Sequence, residues 1–164
     1  GSEMCIRDRG NSFTYRGFSL DVALLFKFGY YFRRPSINYQ QLFSNWTGHK
    51  DYAARWQQPG DETTTDVPAL IYPTSSNANN FYAGSEVLVE KGDHIRLQYI
   101  NLSYELSRLP RFKEMFRRCE LFANVSNLGL VWRANKKGID PDYNFGLNRL
   151  RPPAIYALGL RFGL

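Results

Sequence analysis

From Phe18 to Phe32 apolar residues recur with a period of two, and the positions between them are mostly small or polar. The even positions, Phe18, Leu20, Val22, Leu24, Phe26, Phe28, Tyr30 and Phe32, are all apolar or aromatic; the odd ones run Ser19, Asp21, Ala23, Leu25, Lys27, Gly29 and Tyr31. A period of two over this length predicts a strand with one apolar face, because helical spacing would scatter the same residues around a cylinder. Asn11 to Tyr15 alternates as well, and Arg16-Gly17 supplies a tight turn between the two runs. The end of the chain repeats the pattern, with Tyr156, Leu158, Leu160, Phe162 and Leu164 facing one way and Ala157, Gly159, Arg161 and Gly163 the other. Two more strands are expected in between. Asp93–Leu106 sets Ile100, Leu102, Tyr104 and Leu106 on one face, and Arg118–Trp132 does the same with Cys119, Leu121, Ala123 and Val125. Leu97 is out of phase with Ile100, which predicts a bulge near Tyr99.

Strand length separates two architectures. Soluble sandwiches use strands of about five or six residues, whereas crossing a bilayer takes about nine to eleven. The connections are also asymmetric: Arg16-Gly17 and residues 107–117 are short, while residues 33–92 and 133–153 are long. Short turns on one side and long loops on the other are the pattern of outer-membrane barrels. The expected fold is therefore all-β, an antiparallel transmembrane β-barrel segment of about five strands with one long extracellular loop. Residues 33–92 are that loop, and residues 107–117 are a periplasmic turn. The even residues of Phe18–Phe32 then meet lipid, and Asp21, Lys27 and Arg161 share the lumen side with Gly159 and Gly163. On this reading Leu24→Arg cripples assembly and Ala23→Arg is tolerated. Closing a barrel takes about eight strands, and open edges in lipid leave costly unpaired backbone groups, so the chain reads as the carboxyl-terminal part of a larger barrel. The competing architecture is a soluble β-rich carbohydrate-binding or structural module, which would bury the same even face against a second sheet.

The chain has 164 residues, a length that suits one domain. Its 12 Phe and 11 Tyr argue against disorder. No apolar run approaches the roughly 18 residues of a membrane helix, which says nothing against membrane strands. The net charge of +6 raises the question of nucleic acid, yet the densest basic group, Arg108, Arg111, Lys113, Arg117 and Arg118, lies in one polar connection and reads as a solvated turn. No nucleic-acid partner is expected. Gly1-Ser2-Glu3-Met4-Cys5-Ile6-Arg7-Asp8 is what the bases GGC TCG GAG ATG TGT ATA AGA GAC encode, a string that resembles the transposase adapter of shotgun sequencing libraries. Residues 1–9 are set aside on that ground as a sequencing artefact on a metagenomic fragment. Cys119 then stands alone, so no disulfide framework or cysteine metal site is expected.

Candidate chemistry is sparse. His49 and His94 lack the spacing of a zinc site, and His94 reads as a surface residue at a strand start. Asp140-Pro141-Asp142 lacks the spacing of a calcium loop and reads as a turn capped by its Asp side chains. Pro59-Gly60-Asp61 is likewise a turn. Three matches to the glycosylation acceptor pattern begin at Asn45, Asn101 and Asn124, two of them inside expected strands. No Ser/His/Asp set, paired-carboxylate site or phosphate-binding glycine loop is present in the sequence, and the expectation is a non-enzymatic protein without cofactor or metal.

Five segments carry a family resemblance. Trp56-Gln57-Gln58-Pro59-Gly60-Asp61-Glu62 resembles the "W..PGDE" segment of SusC/RagA-type TonB-dependent transporters, and Val89 to Tyr104, reading VEKGDHIRLQYINLSY, resembles that family's "GDyiRLkni.LsY" strand. Asn124-Val125-Ser126-Asn127-Leu128 is similar to its "NL" strand, Gly138-Ile139-Asp140-Pro141-Asp142 to "G(y/i)DPE", and Pro152-Pro153 with the last strand to the closing segment. Asp142 stands where the family has Glu, and the chain ends on Gly163-Leu164 rather than on an aromatic residue. The resemblance implies a barrel of about 22 strands with an amino-terminal plug, energised by TonB-ExbB-ExbD through a plug and TonB box upstream of this fragment. It implies a SusD-like surface lipoprotein as partner and import of oligosaccharide or peptide across the outer membrane of a Bacteroidetes-type Gram-negative bacterium. In the long loop, Asn38 to Trp56 carries Tyr39, Leu42, Phe43, Trp46, Tyr52 and Trp56 at partly helical spacing. One reading is a short helix packing the loop onto the barrel rim. The other is an aromatic platform, with Tyr39, Trp46, Tyr52 and Trp56 as contacts for sugar rings or the lipoprotein.

Overall fold

The computed structural model describes residues 5–110, 117–144 and 150–163. Its contacts divide the chain into two compact units, residues 31–90 and the remainder.

The larger unit is one antiparallel sheet of five strands: β1 (Cys5–Tyr15), β2 (Phe18–Phe28), β5 (His94–Glu105), β6 (Arg118–Arg133) and β7 (Ile155–Gly163), paired in that order. Each lies within one residue of the run expected from alternation, apart from β1 and β2. β1 starts at Cys5, not Asn11, and pairs with β2 through Cys5↔Phe28. A ladder is made by peptide groups that every non-proline residue carries, so β2 templates this extension whatever the side chains are. The β1–β2 turn puts Arg16 at φ 46° and Gly17 at φ 88°, the paired positive angles of a two-residue hairpin whose twist matches its strands. A Cβ on Gly17 would meet Arg108 Cδ at 2.7 Å. β2 ends at Phe28, four residues short of the expected end, because Gly29 turns the chain at φ 80° and Asp93 accepts its N–H at 2.7 Å. Tyr30 and Phe32 continue the alternation in sequence but leave the sheet.

The register sorts the two faces as the alternation requires. One row across the sheet reads Phe13, Leu20, Leu102, Ala123, Leu158, and the next Tyr15, Phe18, Tyr104, Leu121, Leu160. On the opposite face lie Ser12, Asp21, Asn101, Asn124 and, in another row, Glu105, Glu120 and Arg161. Arg161 thus shares a face with Asp21. The polar side chains bond along their rows: Ser12 donates to Asp21, Asn124 to Asn101, and Arg161 sits 3.8 Å from Glu120. The apolar face stays uncovered even at the middle of the sheet, where Leu102 is 36% exposed. No described sheet packs on that face as a sandwich would demand.

The smaller unit has its own core. Within it β3 (Tyr31–Arg33) pairs with β4 (Val89–Lys91), and two helices follow, α1 (Tyr39–Asn45) and α2 (Ser76–Gly84). Asn38 caps α1 by accepting from Gln41 N–H at 3.0 Å, and Ser75 caps α2 through Ala78 N–H. Ile37, Tyr39, Val67, Tyr82 and Leu88 are buried together, with Leu42, Tyr52 and Leu70 packed around them. Beneath α2, Arg34 pairs with Asp51, and Ser36 donates to Asp51 at 2.6 Å and contacts the Tyr82 hydroxyl at 2.9 Å. Burial alone would raise the Asp51 pKa; hydrogen bonds from Ser36 and Arg34 outweigh it and hold the carboxyl below its usual range.

Candidate functional site

The polar face gains its chemistry from irregularities in the ladder. Register shifts fall between Leu97 and Tyr99, close to the expected bulge, and again between Ile95 and Arg96. On β6 the mismatch is absorbed by Asn127 at φ 59° and Gly129 at φ 105°. The first shift makes Ala23 face Tyr99 and Leu24 face Leu97, skipping Gln98. Beyond it the alternation of β5 reverses phase, so that His94 and Arg96 join Lys27 and Leu25 on the polar side.

There they meet the loop after β6. Asp142 accepts from Lys27 Nζ at 2.7 Å, from Arg96 Nε at 3.1 Å, and lies 3.1 Å from His94 Nε2. Asp140 accepts from Arg96 Nη2 at 2.6 Å and also caps the turn by accepting from Asp142 N–H at 3.1 Å. His94 is fully buried, its Nδ1 lying 2.8 Å from the Gly92 carbonyl and 3.1 Å from the Tyr30 hydroxyl. Arg96 also lies over the Tyr143 ring at 5.1 Å. Hydrogen bonding from His94, then from Lys27, holds the Asp142 carboxyl well below the usual range despite partial burial. Burial and the nearby Asp142 and Asp140 carboxylates push the Tyr30 phenol up to about 12.

This corrects the surface reading of His94. A lone histidine beside a strand start gives no sign of burial; the carboxylate that makes burial tolerable lies 48 residues away in sequence. The turn reading of Asp140-Pro141-Asp142 holds for Asp140, but Asp142 is in addition the hub of the ion pairs. GDHIRL and GIDPD, two separate segments in the sequence, are two halves of one cluster. Among the described residues no group of His, Cys, Asp and Glu is arranged to hold a metal ion.

Between the bulge and this loop lies a cavity of about 370 Å³, lined by Leu25, Arg96, Tyr99, Asn127, Tyr143 and Arg151 among others. A second groove, of about 410 Å³, follows the polar rows and is lined by Asp21, Asn101, Ser103, Glu120, Asn124 and Arg161.

The loop aromatics do not form one platform. Tyr39 is core, its hydroxyl donating to the Pro68 carbonyl at 2.6 Å, and Tyr52 packs on that core with Arg55 over its ring at 4.2 Å. Trp56 is half-buried and donates from Nε1 to Glu62 at 3.1 Å. That bond, with one from Gly60 N–H at 2.8 Å, lowers the Glu62 pKa and locks the Pro-Gly-Asp-Glu turn. Trp46 terminates α1 in the left-handed region at φ 55° and is 90% exposed. The basic positions Arg111 and Lys113 lie outside the described residues; Arg108, which is described, pairs with Glu105 at 2.9 Å.

Three solved structures share this geometry. The chain matches a chain of the RagAB peptide importer in its "open-open" state at a TM-score of 0.63 and 21% identity, over 97% of this chain and 17% of that one. It matches the "closed-closed" state at 0.56 and 22% identity, and a further RagAB peptide transporter structure at 0.55 and 20%. The likeness is one of fold. The chain is all-β, an antiparallel sheet built like part of that importer's barrel, and it spans about one sixth of the importer chain's length. No protein-family model matches the sequence, and comparison with curated proteins gives no match either.

Proposed function

We propose that this chain is part of the barrel wall of an outer-membrane, TonB-dependent nutrient importer of the SusC/RagA type, and that it is not an enzyme. The observation that carries the reading is the division of the sheet. Its strands are long enough to span a bilayer, one face is apolar and uncovered, and the other holds the polar rows and the Lys27/His94/Arg96/Asp140/Asp142 cluster. The likeness to the peptide importer RagAB favours peptide over oligosaccharide as cargo. A SusD-like surface lipoprotein is the expected partner, TonB-ExbB-ExbD drives the cycle through a plug outside this chain, and the setting is the outer membrane of a Bacteroidetes-type bacterium. Of Tyr39, Trp46, Tyr52 and Trp56, Trp46 is the one exposed enough to touch cargo or lipoprotein, and Tyr72 and Phe81 of the same loop are exposed as well.

Within the barrel the apolar rows face lipid, the polar rows face the lumen, and residues 33–92 lie outside the cell. A cysteine placed at Ser75 in the full-length importer is expected to react with an impermeant maleimide on whole cells, and one placed at Arg108 is not. The reverse pattern would refute the orientation. Lys113, in the same expected periplasmic turn, lies outside the described residues.

A further inference from the structure

Arg151 is a cation on the polar side that stands outside the charge cluster. Lys27 and Arg96 are spent on Asp142 and Asp140. Arg151 has no carboxylate partner among the described residues, and the adjoining residues 145–149, Phe-Gly-Leu-Asn-Arg, contain no acid to supply one. Among the described residues its hydrogen bond is a long one, from Nη2 to the Leu128 carbonyl at 3.3 Å, and the planar fork carries five donors in all. Arg151 is exposed, but its guanidinium rests against the backbone. It lies on the bulge glycine, where a Cβ on Gly129 would come within 2.4 Å of Nη1, and Gly129 holds φ 105°, which favours glycine. Arg151 lines the 370 Å³ cavity together with Arg96, Asn127, Tyr143 and Asp142, whose carboxylate is engaged by Lys27, His94 and Arg96. It also lines an adjoining cavity of about 540 Å³, where it is joined by Arg133, whose described hydrogen bond goes to the Gly138 carbonyl. Asp140 lines that second cavity as well: its Oδ1 accepts from Arg96, while its buried Oδ2 has no hydrogen-bond partner among the described residues. Across the two cavities Arg96, Arg133 and Arg151 stand against Asp140 and Asp142, so the lining is positive on balance.

We propose that Arg151 is a specificity residue that takes a carboxylate of the transported peptide, held in the cavity beside the β5–β6 bulge. This rests on the peptide-import reading and deepens it. Guanidinium–carboxylate bonds are charge-assisted and often bidentate, and a partly enclosed site screens them less than open water does. The bulge would then have two tasks: it turns Arg96 and His94 toward the loop, and it leaves a side-chain-free seat for Arg151.

The test measures binding of three fluorescent peptides, equal in length and acetylated at the amino end, to the purified full-length importer in detergent. The first is neutral, with internal Gln and a carboxyl-terminal amide. The second carries internal Glu, and the third has a free carboxyl terminus. At least one carboxylate peptide is expected to bind about tenfold tighter than the neutral one, and which of them gains identifies the source of the carboxylate. Arg151→Gln should erase the difference, while Leu150→Gln, at an exposed neighbour, should keep it. Equal binding of all three by the parent, or a preference that survives Arg151→Gln, would overturn the subsite and leave peptide import standing. A folded parent that binds none of them would overturn both.

Discussion

The two units of this chain solve the burial problem in opposite ways. Residues 31–90 bury their apolar side chains as a soluble protein does: Leu88 is 2% exposed, Ile37 3% and Tyr39 5%, and the buried Asn79 side chain is hydrogen-bonded to Tyr39 N–H and to Thr74. The sheet does not. Its apolar side chains form continuous rows with nothing described over them, while buried positions such as His94 and Arg96 belong to the polar side. A sheet with one apolar, uncovered face and one charged face fits the proposed bilayer setting, with hydrocarbon against the apolar rows. Apolar residues form the buried core of one unit and the uncovered face of the other.

Substitutions at matched apolar positions should separate the two regimes. The largest effect is expected at Leu88→Ala, which empties a packed site at a cost of about 2–5 kcal/mol. Because that core is local, the variant importer should still show heat-modifiable gel mobility while residues 31–90 become open to protease. Wild-type protease resistance would mean that this core does not hold the unit together. Leu24→Arg is next, at about 2–4 kcal/mol for a lipid-facing charge near mid-depth. Here heat-modifiable mobility itself should be lost. The matching control on the polar face is Ser19→Arg and not Ala23→Arg, because Ala23, although on the polar side, is only 7% exposed and has no room for a long side chain.

The smallest expected effect concerns the loop after β6. Asp142→Asn should loosen residues 134–144, measured by hydrogen exchange, by about 2 kcal/mol once the partial exposure of its ion pairs is allowed for. The sign with pH follows from the depressed carboxyl: its contribution is complete above the ordinary aspartate range near pH 4 and fades only as pH falls toward the lower folded value. The variant and wild type should therefore still differ at pH 5 and converge only well below pH 4. Tyr30, raised to about 12, behaves in the opposite sense, with a contribution complete below about pH 10 and lost as pH rises through about 12. Convergence of the two proteins already at pH 5 would remove Asp142 from its place as the hub.

What alternation could reveal, it did. Strands β2, β5, β6 and β7, the shared face of Asp21 and Arg161, and the bulge beside Tyr99 all follow from period two and one break in phase. The misses have local causes. Alternation runs unbroken through Gly29, so only the backbone angle at that residue reveals where β2 stops. The long loop's core joins Ile37, Val67 and Leu88, residues too far apart in sequence for any periodicity to connect. The aromatic reading of that loop was blind to which rings point inward, and Tyr39 and Tyr52 do. Arg96, Asp140 and Asp142 were visible within motifs, yet their meeting depends on a bulge that reverses which side Arg96 faces, and nothing in spacing predicts a partner 44 residues away.

The most direct test of the central claim is the accessibility profile along β5 in lipid. Nitroxide labels placed singly at residues 95–104 of the full-length importer in liposomes would be relaxed by oxygen, which enters hydrocarbon, and by a nickel chelate, which stays in water. Labels at Ile100, Leu102 and Tyr104 should favour oxygen, and those at Asn101 and Ser103 the chelate. Across Gln98 the phase should reverse, so that Leu97 and Ile95 favour oxygen and Arg96 the chelate. A profile that keeps one phase through Gln98, or that shows no alternation, would contradict the assignment of the apolar rows to the bilayer.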